Sequence, residues 1–290
     1  MAKSASKKYG GVWTVRKLNM LRDYLSAYTT ALKNTPFKLL YIDAFAGTGM
    51  VELQTKDSLD AQKFIEGSAR IAAKIDDKPF DKFIFIEQNR KRCKELEELK
   101  SELSPRNVEI QNTDANIYLK KFCDQWGATH SGWRGVLLLD PFATQVEWKT
   151  VQAVADTNAL DTWILFPVSG LSRMLPRNKM PQDVDEKWAA KLTRGFGDES
   201  WKNFYHPNPQ LTLFPKDDES AYRRHPGVKL IRDAYKQKLS GTFGDRLLDV
   251  TCQFPNSKNS LLFEFIFCVG NKAGICLAHN IASHIIKAQG

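Results

Sequence analysis

Cysteine is sparse and without pattern in this 290-residue chain: Cys93, Cys123, Cys252, Cys268 and Cys276 are odd in number, scattered, and form no Cys-x-x-Cys. A disulfide framework or a structural zinc site needs regularly spaced sulfur or histidine ligands, so neither is expected; the thiols should be reduced and mostly buried, with no metal bound. No apolar run reads as a membrane span either, because the most apolar late stretch is broken by Glu264. Lys3, Lys7 and Lys8 are not followed by the apolar core of a signal peptide, which leads to the expectation of a cytoplasmic protein with no membrane partner. Acid is scarce at the front of the chain. Residues 1–40 hold eight basic side chains (Lys3, Lys7, Lys8, Arg16, Lys17, Arg22, Lys33, Lys38) against Asp23, so +7 of the net +9 lies there. Such an arm suits a polyanion, since neutralising phosphates releases counterions, and nucleic acid is an expected partner. A solvated tail would have the same composition.

What is present is enough apolar material for a large core: 42% of residues are hydrophobic and 11% aromatic, which suits a single α/β domain. Residues 1–36 read as a basic arm and helix, and 37–290 as the domain itself. The organising stretch is Lys38 to Glu52, in which an apolar run ends at Asp43 and breaks into Gly47-Thr48-Gly49. Glycine is needed where backbone turns tightly or approaches a ligand, and such a loop at the end of a first strand is where open α/β sheets bind nucleotides.

Ahead of it, Leu18, Leu21, Leu25, Tyr28 and Leu32 recur at three- and four-residue steps and predict a helix from Thr14 to about Lys33. After it, Gly67-Ser68 opens a short helix with Ser68 as expected N-cap, and the polar loop between Met50 and Glu66 is placed to shape a ligand site. Phe83 to Gln88 predicts a second strand, followed by a helix from Asn89 to about Leu103; Glu87 at the strand's end is placed to accept from ribose hydroxyls. Asn107 to Ala115 predicts a third, with Asp114 placed either to accept from an adenine amino group or to cap the next helix. Gly135 to Phe142 predicts a fourth, ending at Asp140. Four successive strands thus end at or beside an acid. The third glycine of a dinucleotide fingerprint is replaced by Glu52, which disfavours NAD and FAD.

Asp43-Ala44-Phe45-Ala46-Gly47-Thr48-Gly49, Gly67-Ser68-Ala69, Phe85-Ile86-Glu87, Asp114-Ala115 and Leu139-Asp140-Pro141-Phe142 together resemble class I SAM-dependent methyltransferases, and most closely the three-Cys-motif partner protein (TcmP) family. The resemblance covers most of the chain. It implies a Rossmann-like class I methyltransferase fold, α/β, with a mostly parallel seven-stranded sheet. It also implies the cofactor S-adenosyl-L-methionine and a partner protein bearing the three-cysteine motif. By that likeness Asp43, Phe45, Gly47 and Gly49 lie against the methionine part, Glu87 with Gln88 holds the ribose, and Asp114 with Ala115 meets adenine.

Asp140-Pro141-Phe142-Ala143 is similar to the Asp-Pro-Pro-Tyr or Asp-Pro-Pro-Phe motif of amino-group methyltransferases, and makes Asp140 and Phe142 the catalytic candidates. It departs at the second proline, where Phe142 stands, with Ala143 in the aromatic position. No strong general base is evident, which favours a nitrogen acceptor over a hydroxyl. The altered motif equally suits a non-catalytic module that binds SAM or a nucleotide and serves a partner.

Thr162 to Val168 predicts a fifth strand, ended by Ser169-Gly170. From 171 to about 226 prolines punctuate short segments rich in aromatic and basic residues, which reads as an insertion, either a substrate lid or a unit with its own small core. Lys17 in the basic helix and Arg173 at the head of this insertion are the expected substrate-binding cations. A helix through Val228, Ile231, Tyr235 and Leu239 follows. Arg246 to Phe254 and Ser260 to Val269 then predict a terminal antiparallel hairpin, and the last helix is patterned by Ile275, Ala278, Ile281, Ala282, Ile285 and Ile286. His279 and His284 should flank its packing face.

Overall fold

The computed structural model describes residues 11–53, 63–176, 180–207, 222–224 and 228–289. The strands are β1 (Lys38–Asp43), β2 (Met50–Leu53), β3 (Lys63–Glu66), β4 (Lys82–Ile86), β5 (Val108–Gln111), β6 (Trp133–Leu139), β7 (Leu160–Phe166), β8 (Tyr205–Pro207), β9 (Tyr222–Arg224), β10 (Cys252–Pro255) and β11 (Leu261–Cys268). The helices are α1 (Val12–Ala31), α2 (Ser68–Ala73), α3 (Arg90–Glu102), α4 (Ala115–Asp124), α5 (Trp126–Thr129), α6 (Trp148–Asp156), α7 (Val168–Met174), α8 (Glu186–Phe196), α9 (Val228–Phe243) and α10 (Ile275–Gln289).

Seven strands form one sheet in the order β5-β4-β1-β6-β7-β11-β10. The first five are mutually parallel, while β11 runs antiparallel to both β7 and β10. Because successive side chains on a strand point to opposite faces, a sheet covered on both sides needs apolar residues at nearly every position, and β1, β4, β6 and β7 have them. Leu40, Ile42, Ile84, Ile86, Leu137 and Ile164 join one core with α4, α6 and α9. Leu39, Tyr41, Phe83, Phe85, Val136 and Trp163 join the other with α1, α2 and α10. The stripe Leu18, Leu21, Leu25 and Tyr28 is buried, so α1 is part of this second layer.

Local chemistry shifts several expected boundaries. The fifth strand stops at Phe166 because Pro167 cannot donate to the ladder, and Ser169 and Gly170 lie inside α7 instead of ending the strand. Gly67, not Ser68, occupies the cap of α2; the Ser68 hydroxyl is turned to Asp43. Asn89 caps α3 by accepting from Lys91 N and Arg92 N. The strand expected from Arg246 begins only at Cys252, since Gly244–Arg246 is a 3₁₀ turn held by the buried Arg246 guanidinium, which donates to the carbonyls of Ala155 and Gly270. Of the aromatics of 171–226, Phe196, Trp201, Phe204 and Tyr205 join the α4/α6/α9 core and do not form one of their own, while Trp188 stays exposed. The loop between Met50 and Glu66 begins and ends as the antiparallel pair β2–β3, and residues 54–62 lie outside the described residues. So does the basic arm of residues 1–10. The cysteines are free thiols, four buried and Cys276 exposed. His279 faces the Arg246 carbonyl at 3.3 Å.

Asp161 ties α1 to the sheet, accepting from Tyr24 Oη at 2.6 Å and from Gly270 N at 2.6 Å. Burial holds its carboxyl up at about 6, from an ordinary value of 3.8. A carboxyl raised in the folded state opposes folding once it ionises, so this contribution is absent below about pH 4 and grows as pH rises to about 6. A displacement of that size corresponds to about 3 kcal/mol. Asp161→Asn is therefore expected to lessen the fall in stability between pH 4.5 and 7. Urea midpoints at the two pH values check this, and an unchanged difference between them would mean that Asp161 does not titrate in that window.

Candidate functional site

Parallel strands bring their carboxyl ends to one edge, and the chain reverses direction of travel at β1, leaving a crevice between β1 and β6. Asp43 ends β1, Glu87 follows β4, Asp114 follows β5 and Asp140 follows β6. In space their order is Asp114, Glu87, Asp43, Asp140, across four adjacent strands. At about 4.8 Å per strand the row spans about 14 Å.

The glycine turn lies over the middle of this row. Gly47 and Gly49 have φ of 63° and 76°, the left-handed region that glycine enters without a Cβ penalty. A Cβ on Gly49 would lie 2.9 Å from Leu99 Cδ2, whereas one on Gly47 would meet nothing within 4 Å. Gly49 is thus favoured by its left-handed backbone, with the tip of Leu99 in the way of a side chain, and Gly47 opens onto unfilled space. Gly67 completes the turn: its N–H donates to Gly49 O at 2.9 Å, and a Cβ there would be 3.0 Å from that carbonyl. This third glycine stands 18 residues after Gly49, outside any short motif spacing. Its one sequence signal is the helix that opens with Gly67-Ser68.

Asp43 is fully buried and accepts from Phe45 N at 3.2 Å and from the Ser68 hydroxyl. Burial raises its carboxyl to about 6; the Ser68 bond opposes this, the Asp140 charge adds to it and the Lys17 ammonium opposes it. Glu87 is buried and accepts from Asn89 N at 2.6 Å, with Arg92 at 3.7 Å. Gln88 is exposed beside it. Asp114 caps α4, Oδ1 accepting from Asn116 N at 2.8 Å and Ile117 N at 3.2 Å. Both bonds converge on one oxygen, so the capping role expected of Asp114 leaves Oδ2 for a ligand. Ala115 is buried in the first turn of α4, and Phe45 is half-buried on the glycine turn.

Asp140 is paired with Lys17. The Lys17 ammonium, 6% exposed, reaches from α1 to Asp140 Oδ2, and Asp140 itself is 21% exposed. Lys17 also lies over the Trp13 ring, 5.5 Å from its centroid. The basic helix therefore turns this cation into the acid cluster, away from solvent. Arg22 stays exposed, and Lys33 pairs with Asp77 at 2.9 Å. Nothing in the spacing of residues 123 apart signals the Lys17–Asp140 contact.

Beyond Asp140 the loop carries Phe142, 54% exposed, whose backbone N–H donates to Gln145 Oε1 at 2.9 Å. Behind it an apolar cavity is lined by Pro141, Ala143, Ile164, Phe166, Phe196 and Tyr235. A polar cleft lined by Asp114, Asn116, Thr144, Glu147, Lys191 and Arg194 connects the loop with the Asp114 end of the row. Neither lies over the glycine turn. Arg173 is exposed on α7, which follows β7 at the same sheet edge. Among the described residues no cluster of His, Cys, Asp and Glu could hold a metal, and no helix is long and apolar enough to cross a membrane.

A seven-stranded sheet of this order, with its penultimate position filled by the one antiparallel strand and a glycine turn after the first strand, is the Rossmann-like class I methyltransferase fold. No protein-family model matches the chain, and no curated protein matches it. Solved structures do. An rRNA methylase from Streptococcus thermophilus is 10% identical over 86% of this chain and 94% of its own, with a TM-score of 0.40. Trm1 from Pyrococcus horikoshii, solved with S-adenosyl-L-methionine, is 11% identical over 98% and 75%, with a TM-score of 0.36. A Legionella pneumophila protein of the DUF519 family model is 12% identical over 88% and 97%, with a TM-score of 0.39. At such scores the weight rests on the strand order and the site geometry of this chain.

Proposed function

We propose that this protein is a SAM-dependent methyltransferase acting on an amino nitrogen, carried by a nucleic acid or by a substrate that a partner presents. The observation that supports this most is the row of four acids with an open glycine turn at its centre. The residues fit the cofactor: Asp114 Oδ2 and Glu87 offer acceptors for a base amino group and a ribose, and Gly47 leaves open the backbone surface that a Cβ would cover. That assignment leaves Asp140, on the far side of β1, for the acceptor nitrogen. The cofactor would supply a methyl group already activated on a sulfonium, so the chain's own residues have to orient the acceptor and exclude water. Asp140 does the first by accepting from the amine; Phe142, at the mouth, covers the acceptor. Membership of the three-Cys-motif partner family belongs to the same proposal and supplies a reason for a partner protein.

One observation favours a second reading, a non-catalytic SAM- or nucleotide-binding partner module: Lys17 already sits on Asp140. An acceptor nitrogen has to share or displace that ammonium. Transfer of labelled methyl from SAM to total nucleic acid and protein, with and without the partner, separates the readings, because the module would bind SAM in calorimetry and transfer nothing under either condition.

The N-terminal arm carries a further expected result. Polyanion affinity should fall steeply with salt, and deleting residues 1–11 should weaken it. Binding untouched by the deletion would remove the arm from the account, and a flat salt response would remove the electrostatics.

A further inference from the structure

The helix α8 borders the polar cleft, and its exposed side is not that of a merely solvated helix. Lys187, Lys191 and Arg194 are spaced four and three residues apart, which places them on one face, while Leu192 and Phe196 bury the other. Lys187 and Lys191 have no ion-pair partner among the described residues. Arg194 shares Glu147 at 3.9 Å with Lys120, which holds that carboxylate more closely at 2.9 Å. One acid therefore leaves the stripe cationic. Of the two acids at the start of α8, Glu186 is one residue from Lys187 and so turned about 100° around the helix from it, and Asp185 is engaged at the cap with Lys187 N and Trp188 N.

Beside this stripe a large apolar side chain is left in water: Trp188 is 41% exposed. Ile117, 65% exposed, follows the cleft residue Asn116 and Phe142, 54% exposed, is two residues from the cleft residue Thr144, while Met50 and Leu277 are exposed elsewhere on the chain. Lys191 and Arg194 line that cleft together with Thr144 of the loop after Asp140. Two unpaired cations and a third that shares its acid, on one helix face with an exposed indole beside them and a path to the acid row, match what a flexible polynucleotide offers, phosphates to the cations and a base face to the ring. An acidic peptide would meet the cations but brings a planar group to Trp188 only where an aromatic residue falls in register, whereas every nucleotide carries one.

We infer that the Lys187–Lys191–Arg194 face of α8, with Trp188, binds single-stranded nucleic acid and leads it toward Asp140. This rests on the methyl-transfer reading above and narrows its acceptor to a polynucleotide. Binding of the full-length protein to a fluorescein-labelled single-stranded DNA and RNA of mixed sequence, measured by anisotropy across a salt series without cofactor, tests it. Replacing Lys187, Lys191 and Arg194 together by alanine should weaken binding at least tenfold at low salt. It should also make the log–log salt slope shallower by about 2, at about 0.7 per phosphate contact on a single strand. Trp188→Ala should weaken binding by about tenfold with the slope unchanged, as stacking carries no counterion release. Lys187, Lys191 and Arg194 are exposed, so the triple variant should melt at the wild-type value, while Trp188→Ala gives up the packed part of its ring and should melt slightly lower. Wild-type slope and affinity in the triple variant would overturn the inference, as would a wild type that binds an acidic peptide and no single strand. In either case calorimetric binding of SAM would still stand or fall by itself, which keeps failure of this face distinct from failure of the cofactor reading.

Discussion

Asp140→Ala is expected to leave SAM affinity nearly unchanged and to slow methyl transfer by about a hundredfold or more, the scale for losing a positioned polar group in a transition state. Asp140→Asn, which keeps one acceptor oxygen, should do less harm. The alanine variant also strands the buried Lys17 ammonium, and removing one partner of a buried ion pair costs about 3 kcal/mol, so its melt should fall as well. The double variant Lys17→Met/Asp140→Ala removes the stranded charge. It should regain most of the stability while turnover stays low, as measured by thermal melts beside single-turnover methyl transfer. Turnover that recovers together with the melt would assign Asp140 a structural role in place of a catalytic one.

The second large effect is on the cofactor itself. Gly47→Val adds a side chain where the fold has room, so its folding cost is the left-handed φ of about 1–2 kcal/mol, yet it fills the cradle. SAM affinity should fall by a hundredfold or more. Glu87→Ala removes a carboxylate acceptor, and charge-assisted hydrogen bonds of about 1.5–3 kcal/mol correspond to about ten- to a hundredfold in affinity. Gly49→Ala has the same left-handed φ to bear and also pushes on the tip of Leu99 at 2.9 Å, so it should lower the melt without filling the space over Gly47. Calorimetry with SAM or its demethylated product decides the matter. If Gly47→Val and Glu87→Ala both bind as wild type does, the site lies elsewhere.

The sheet strands were legible because β1, β4, β6 and β7 are nearly continuous apolar runs, which a parallel sheet buried on both faces requires. β5 was a weaker signal, being four residues and half polar, and β10 is the four-residue end of the longer apolar run expected from Arg246. Boundaries went wrong where a single side chain acts at a distance. Arg246 reads as the start of a strand, but its guanidinium finds carbonyls 91 and 24 residues away and holds a turn instead.

The acids of the candidate site were determined by sequence alone, since a carboxylate at the end of an apolar run has a place at the sheet edge whatever else the chain does. Their spatial order follows from topology, as does the pairing of Lys17 with Asp140. Lys17 lies in a run of basic residues that reads as a solvent-facing polyanion surface, and charge in sequence says nothing of which way a helix is rolled. That was decided by the apolar stripe of α1, which packs Leu21 and Tyr24 against the sheet and so carries Lys17 into the acid cluster. The cationic face of α8 arose in the same way: burying Leu192 and Phe196 under the α4/α6/α9 core leaves Lys187, Lys191 and Arg194 outward, where among the described residues Glu147, already held by Lys120, is the one ion-pair partner they have.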